Sequence, residues 1–536
     1  MNESKDKKTW LSWRKAGWIW LVFFGIVAVV YAVADISAMI HATYRPPYWL
    51  QSLVVAGVAA LLTTPFVFLL FARWAFAGWR NVRRIIIGVA ILATLVAAFY
   101  TEENWRGKRA WEDCKRELEA KGAVLDWDKY IPPPVPDDQN FFKAPKMSEW
   151  FVKNNHSLTN ELRNRLGNNG DTTATNLNEI VAAKYLAWSD QFEPDFDLIR
   201  EALKRPYARM GGDYSKPYAQ PIPNFVAVRD VAQVFAQRAK CYLLLGQPDK
   251  ALQEVTLLHD MRRLLEAAPT GKPMTLVSAM INVAVTGLYV DTIASGLQSH
   301  TWQEPQLVAL QEQLQGINLA SYVHEAFKEE QIHAVYIAEK ANFRKLMTGE
   351  LFGYGPKKFT EKFMAHGFDL MPQGWVYQNL VVTAELMQRQ IDCFDPANRM
   401  VFPSKLNQAN AEMIKKLDHY SIFNRLAAIA IPNYSKALQT FARNQTHVNE
   451  AQIVCALERY YLKQGEYPET LGALVPQLIE KIPCDIIGGE PLHYRRTGDG
   501  KILLYSVGWN ETDDGGLPGT LADVKKGDWV WQYPVK

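Results

Sequence analysis

Three apolar runs lie within the first hundred residues, at 18–34, 49–72 and 85–100, and the basic residues around them fall almost entirely on one side. Each run is near the ~20 residues that a helix needs to cross a bilayer. Lys5, Lys7, Lys8, Arg14 and Lys15 precede the first, and Arg73, Arg80, Arg83 and Arg84 separate the second from the third, whereas the 41–48 loop carries only Arg45. By the positive-inside bias the N-terminus and the second loop are cytoplasmic, and the chain leaves the third span on the outer face. Transmembrane helices are therefore expected at about 18–38, 49–72 and 84–100 in an anchor of residues 1–100, with everything after about residue 100 extracytoplasmic.

A chain of 536 residues is too long for one core, so soluble units should follow the anchor. The spacing predicts a charged helix and a Pro-rich linker over 101–140, a helical domain over 141–420 and a distinct C-terminal unit over 421–536. Only the anchor is membrane-like, because 48% hydrophobic residues overall is ordinary for a globular protein. Trp18, Trp20, Trp49, Trp74, Trp79 and Trp105 crowd the ends of the runs, as interfacial belts do. The net charge of +3 is spread along the soluble part, which offers no field for a nucleic-acid backbone. Ala32, Val33 and Ala34 before Asp35 also match a signal-peptide cleavage site, and cleavage there would leave the soluble part on the same side. Asp35 itself reads as an interfacial residue at the outer end of the first span, and Pro65 as a kink in the second.

Beyond the anchor, residues 101–122 continue as a charged helix closed by Gly122, and Pro132, Pro133, Pro134 and Pro136 impose an extended segment. From 141 to 419 the punctuation is that of helices in succession. Asn224 opens a helix that runs to Gly246, Asp249 caps the next, Pro273 and Pro305 take first-turn positions, and Gly316 closes another. Ala239, Tyr242, Gly246 and Ala251 give one hairpin a tetratricopeptide-like spacing without a second copy, so close packing of two helices accounts for it. Cys114, Cys241, Cys393, Cys455 and Cys484 form no metal motif; an oxidising compartment would allow one bridge among the last three, with the pair left open.

The most catalytic-looking constellation lies in a helix expected over 320–349, with His324, Glu325, Glu329, Glu330 and His333. Glu325, Glu329 and His333 recur at i, i+4 and i+8 and share a face. Glu330 and His333 make a Glu-x-x-His pair, half of a bundle di-metal site. The other match, Glu490 to His493, contains Pro491 in a strand-like stretch, so the geometry fails and a solvated charged face is the expectation. The loop 205–223 is long enough to be a binding loop and is expected as a packed surface loop.

The last hundred residues change character. Leu426, Ala427, Ala428, Ile429 and Ala430 precede Pro432; Ala456 to Tyr460 lead through Gly465, Tyr467 and Pro468 to Leu471 and Leu474; Pro483, Asp485, Gly488 and Gly489 follow; Leu504 to Gly508 lead to Asp513, Asp514, Gly515 and Gly516. Leu492 and Tyr494 alternate with His493 and Arg495 as in a half-buried strand, Thr497 to Gly500 form a turn, and 502–507 supply the partner strand. This order, over about 427–531, resembles the soluble domain of the major pseudopilins of type II secretion. The resemblance implies a helix, a small antiparallel sheet and an acidic loop that binds calcium, with Asp513, Asp514 and Asp523 as its ligands. It also implies a bacterial inner membrane and a periplasmic body. The chain departs from that family in lacking a leader, processing site and single apolar helix before Leu426, so assembly as a pilin subunit is not expected.

The fold expected is thus mainly α: three transmembrane helices, an irregular extracytoplasmic all-α domain and a small C-terminal α+β unit. Its partners are the lipid bilayer and an envelope or secretion-system protein, with no nucleic acid. The expected function is a membrane-anchored periplasmic scaffold or interaction protein. The alternative is a membrane-anchored hydrolase with its site in the helical domain, around Glu329 and His333 or the 205–223 loop.

Overall fold

The computed structural model describes residues 73–74, 78–152, 178–215, 217, 220, 222–266, 275–340, 370–419, 421–431, 434–498, 500–519 and 526–533. The first two expected spans, Asp35, Pro65, Pro273 and Asp523 lie outside the described residues. The chain divides into two units, Met1–Thr101 and Glu102–Lys536.

In the first unit the described residues belong almost entirely to helix α1 (Trp79–Ala120). Its 18-residue apolar window is not buried at all, and Ile86, Leu92, Leu95 and Phe99 stand exposed. The helix is long and apolar enough to cross a membrane, and it continues without interruption into the charged stretch. It stops at a Schellman motif: Ala123 N–H donates to the Leu118 carbonyl and Gly122 N–H to that of Glu119, with Gly122 in the left-handed region at φ +91°.

The second unit is mainly helical with a small sheet part. Its helices are α2 (Met147–Phe151), α3 (Glu179–Ser189), α4 (Glu193–Leu203), α5 (Phe225–Leu244), α6 (Pro248–Leu264), α7 (Leu276–Gln298), α8 (Glu304–Gln315), α9 (Leu319–Glu339), α10 (Gln373–Ile391), α11 (Pro403–Asp418), α12 (Arg425–Ala430) and α13 (Ser435–Gln464). Asn224 caps α5 by accepting from Ala227 N–H, and Gly316 closes α8, both as expected. Asp249 does not cap α6: Gln247 holds the cap position, and Asp249 sits in the first turn and accepts from Gln306 Nε2. Helix α9 ends at Glu339, short of the expected residue 349.

Helix α7 also passes the length and apolarity test for a span, yet 56% of its apolar window is buried. It packs on α5, α6, α9 and α13, so most of its circumference is apolar and covered, with one exposed stripe through Val277, Ala284, Asp291 and Gln298. Helix α13 lies in the same core, with Leu438, Phe441, Val454 and Leu457 at 0% exposure and contacts to α8, α7 and α9. Each such side chain contributes roughly 1.5–3 kcal/mol through burial. One continuous apolar core therefore runs from Phe141 to Trp531, across the boundary expected near residue 420.

Two small sheets complete the unit. Strands β1 (Phe394–Asp395) and β2 (Met400–Val401) form a hairpin, and β3 (His493–Arg496), β4 (Ile502–Ser506) and β5 (Trp529–Tyr533) form an antiparallel sheet in the order β3-β4-β5. Tyr494 pairs with Leu504, and Leu504 with Trp531. The apolar stretch from Leu426 is divided between α12 and α13 and is not one helix. The five cysteines are free. Of the three among which an oxidising compartment would allow a bridge, Cys393 and Cys455 are buried and Cys484 is exposed, and none is bonded to another.

The C-terminal part of α1, within the second unit, is fastened at its start. Asn104 Oδ1 accepts from Gly374 N–H at 2.8 Å, and Trp375 Nε1 donates to Glu103 Oε2 at 2.9 Å. A Cβ on Gly107 would collide with the backbone of Gly374, and one on Gly374 with that of Glu103, so only glycine permits this approach.

Candidate functional site

Helix α9 carries the chemistry singled out above, but the solvated face expected for it is covered. Glu325, Glu329 and His333 do share one face, and Glu329 is only 1% exposed. Two segments supply the cover. The first follows α1: Asp126 accepts from Asp128 N–H and sets a tight turn at Trp127–Lys129. The turn brings the Trp127 ring to 5.2 Å from that of His333 and points Tyr130 Oη at Glu325 Oε2, 3.4 Å away.

The second is the 205–223 loop, stitched to the Pro-rich stretch instead of lying free. Phe141 N–H donates to the Tyr207 carbonyl, Asn140 Nδ2 to that of Arg209, and Arg209 Nε to that of Pro132. Trp127 Nε1 donates to the Tyr214 carbonyl at 2.8 Å. The loop thereby delivers Gln220, whose Nε2 donates to Glu329 Oε1 at 3.1 Å and lies 3.4 Å from His333 Nε2. The linker and the loop, read separately in the sequence, converge on one helix face.

Exclusion of water sets the protonation there. Burial holds the Glu329 carboxyl well above the carboxylate range; the Gln220 hydrogen bond opposes this and is outweighed. Burial draws His333 down to about 4. Nε2 of His333 stands 3.5 Å from Glu329 Oε1, and burial works against the charged form of both groups, favouring a neutral pair over an ion pair. Separating their charges in a dry site would cost more than the short contact returns. Burial also works against the Glu325 carboxylate, but hydrogen bonds from His324 and Lys328 overcome it and bring it down to about 2. Glu330 looks elsewhere: its Oε1 accepts from Leu276 N–H at the start of α7, and burial raises its carboxyl.

The arrangement is an enclosed acid and base within reach of one another, walled by Trp127 and tethered by Gln220. The Glu330 and His333 pair is not directed at a common point. Among the described residues no group of three His, Cys, Asp or Glu is placed to hold a metal ion. Trp127 and Gln220 escaped sequence reasoning because each lies more than a hundred residues from Glu329. The buried Arg238 network was also missed. Arg238 Nε donates to Glu254 Oε1 at 2.9 Å, and its other nitrogens donate to Ser189, Asp190 and Glu193. An arginine within the otherwise apolar face of α5 was the available signal.

The acidic loop expected to bind calcium is organised by a residue outside the expected set. Asp528, 2% exposed, accepts from Asp514 N–H at 3.2 Å through Oδ1 and from Gly516 N–H at 2.6 Å through Oδ2. Asp513 Oδ1 accepts from Gly515 N–H and Tyr505 Oη, and Asp514 Oδ2 accepts from Asn510 Nδ2. The remaining oxygen of Asp513 stands 3.6 Å from His493 Nδ1, and that of Asp514 takes no hydrogen bond from a described residue, so a hard cation would have to compete with His493 for the first.

No family model, no curated protein and no solved structure matches this chain.

Proposed function

We propose that this protein is a membrane-anchored interaction platform: three transmembrane helices in a bacterial inner membrane hold a periplasmic helical body with a pseudopilin-like C-terminal region that meets an envelope or secretion-system protein. The observation that carries the reading is helix α1, which presents a wholly exposed apolar stretch at one end and a charged stretch keyed into the helical body at the other. The basic residues beside the apolar runs supply the orientation, and the order of motifs from Leu426 to Gly516 supplies the likeness. The test is crosslinking of the full chain in native membranes, followed by solubilisation and recovery. The expected result is retention in the membrane fraction after alkaline extraction, together with a specific envelope protein. Release by alkali, or recovery of no partner, would overturn the reading.

Calcium belongs to the same proposal, at Asp513, Asp514 and Asp523, with Asp528 shaping the loop. Calcium should raise the melting temperature of the full chain, and Asp513→Asn should abolish the increase. A melting temperature indifferent to calcium and chelator would remove the ion from the proposal.

A hydrolytic reading has one specific observation in its favour, the enclosed Glu329 and His333 pair. Turnover of a periplasmic substrate class that is lost in Glu329→Gln, with the fold intact, would establish it over the platform reading.

A further inference from the structure

Helices α8 and α13, the β1–β2 turn and the 478–485 segment enclose a cleft of about 530 Å³, well within the size range of ligand sites. We propose that this cleft is the platform's docking site for an extended peptide segment of the partner protein; it rests on the platform reading and gives it a location and a ligand class.

The walls are fixed before anything binds. Gln311 Nε2 and Arg459 Nη1 both donate to the Leu478 carbonyl, at 3.1 and 3.0 Å. Asn449 Nδ2 donates to the Cys484 carbonyl at 2.9 Å, and Val401 N–H to that of Ile486 at 2.9 Å. Arg459 is also held by Glu304, so it acts as a strut and not as a free cation. A site whose groups are already ordered loses less entropy on binding.

The lining chemistry selects the class. Val308 and Ile482 offer partly exposed aliphatic surface, backed by the buried Leu314, Ile317 and Ile479, while the carboxamides of Gln315 and Gln452 line the same space without a hydrogen bond to any described residue. A carboxamide both donates and accepts, as a peptide group requires. Among the described residues no aromatic ring lines the cleft, so these walls offer no stacking platform for a base or a sugar. Arg399 and Lys481 face the cleft together with Glu312 and Glu480, and none of the four has an ion-pair partner among the described residues. The balance suits a zwitterionic chain better than a phosphate or a polyanion. Arg399 closes the β1–β2 turn in the left-handed region at φ +57°, and Asp395 pins that turn by accepting from Asn398 N–H and Nδ2.

Cys484 provides the test, because it lines the cleft and is exposed whereas Cys241, Cys393 and Cys455 are buried. With Cys114 replaced by serine, a photoactivatable maleimide on Cys484 of the full chain in native membranes reports what enters. The expected adduct maps to one short contiguous stretch of a second protein, and a synthetic peptide of that stretch competes for it. Gln452→Trp, which fills the cleft, and Arg399→Glu, on its exposed edge, should each lower the yield by about tenfold, equivalent to 1.4 kcal/mol, at an unchanged melting temperature. Absence of an adduct, adducts scattered over many sequences, an adduct within this chain or with a second copy of it, or a yield indifferent to both substitutions would overturn the proposal. If general crosslinking recovers a partner and Cys484 does not, the platform reading stands and the cleft falls; if neither does, both fall.

Discussion

At the scale of single residues, Glu329 and His333 set opposite limits on stability. His333 titrates near 6.5 when unfolded and at about 4 when folded. Between those values the unfolded chain binds a proton that the folded chain refuses. Its contribution is therefore full above pH 6.5 and lost as the pH falls towards 4. For a side chain 17% exposed the difference is worth about 3 kcal/mol. Glu329 behaves in the reverse sense: its folded carboxyl is raised, so its contribution is full below pH 4.5 and declines as the pH rises. Glu329→Gln keeps the acceptor for Gln220 and removes that decline. Thermal melts should show it above wild type at pH 8, with the gap closing towards pH 4.5. His333→Gln should flatten the acid limb between pH 6.5 and 4. A parallel shift of either variant at all pH values would contradict the neutral pair. Periodicity alone placed Glu325, Glu329 and His333 on one face. Whether that face is wet depends on Trp127 and Gln220, which no local pattern connects to α9.

Among elements, the α5–α6 hairpin shows what local reading captures and what it leaves out. Gly246, in the left-handed region at φ +67°, and the small residues Ala239 and Ala251, both at 0% exposure, were visible as turn and contact positions. The lock between the helices was not, because an arginine at position 238 and a glutamate at 254 look like surface charges until the hairpin folds. Arg238→Ala leaves Glu254 buried and reliant on the half-buried Arg200, 3.7 Å away, and should cost about 3–5 kcal/mol in urea melts. Arg238→Ala with Glu254→Ala should recover a substantial part of that loss; a double variant as unstable as the sum of the singles would show that the pair is not coupled. The β1–β2 hairpin went unread for a different reason. Asp395, Pro396 and Asn398 carry turn chemistry, but strands of two residues leave no alternation to detect, and the pairing is completed by distant Ile486 and Ile487.

For the second unit taken whole, the change of character near residue 420 is real in composition and absent in packing. Helix α13 lies beyond that change in the sequence, yet its apolar face fills the space between α7, α8 and α9. Ending the chain at residue 420 should therefore yield an aggregating helical remnant with a weakened near-ultraviolet signal. A soluble remnant that melts cooperatively at the full-length temperature would show instead that 102–420 is self-sufficient. Sequence patterns reveal which residues are apolar, but not which neighbour each face will choose. The same interlock bears on how the protein is made. A ribosome delivers α13 only after α7, α8 and α9 have all emerged, so those helices must wait, greasy and incomplete, through synthesis of everything between them and Ser435. The finished body is a late event, and in the interval the nascent chain is a client for whatever holds unfolded polypeptides apart.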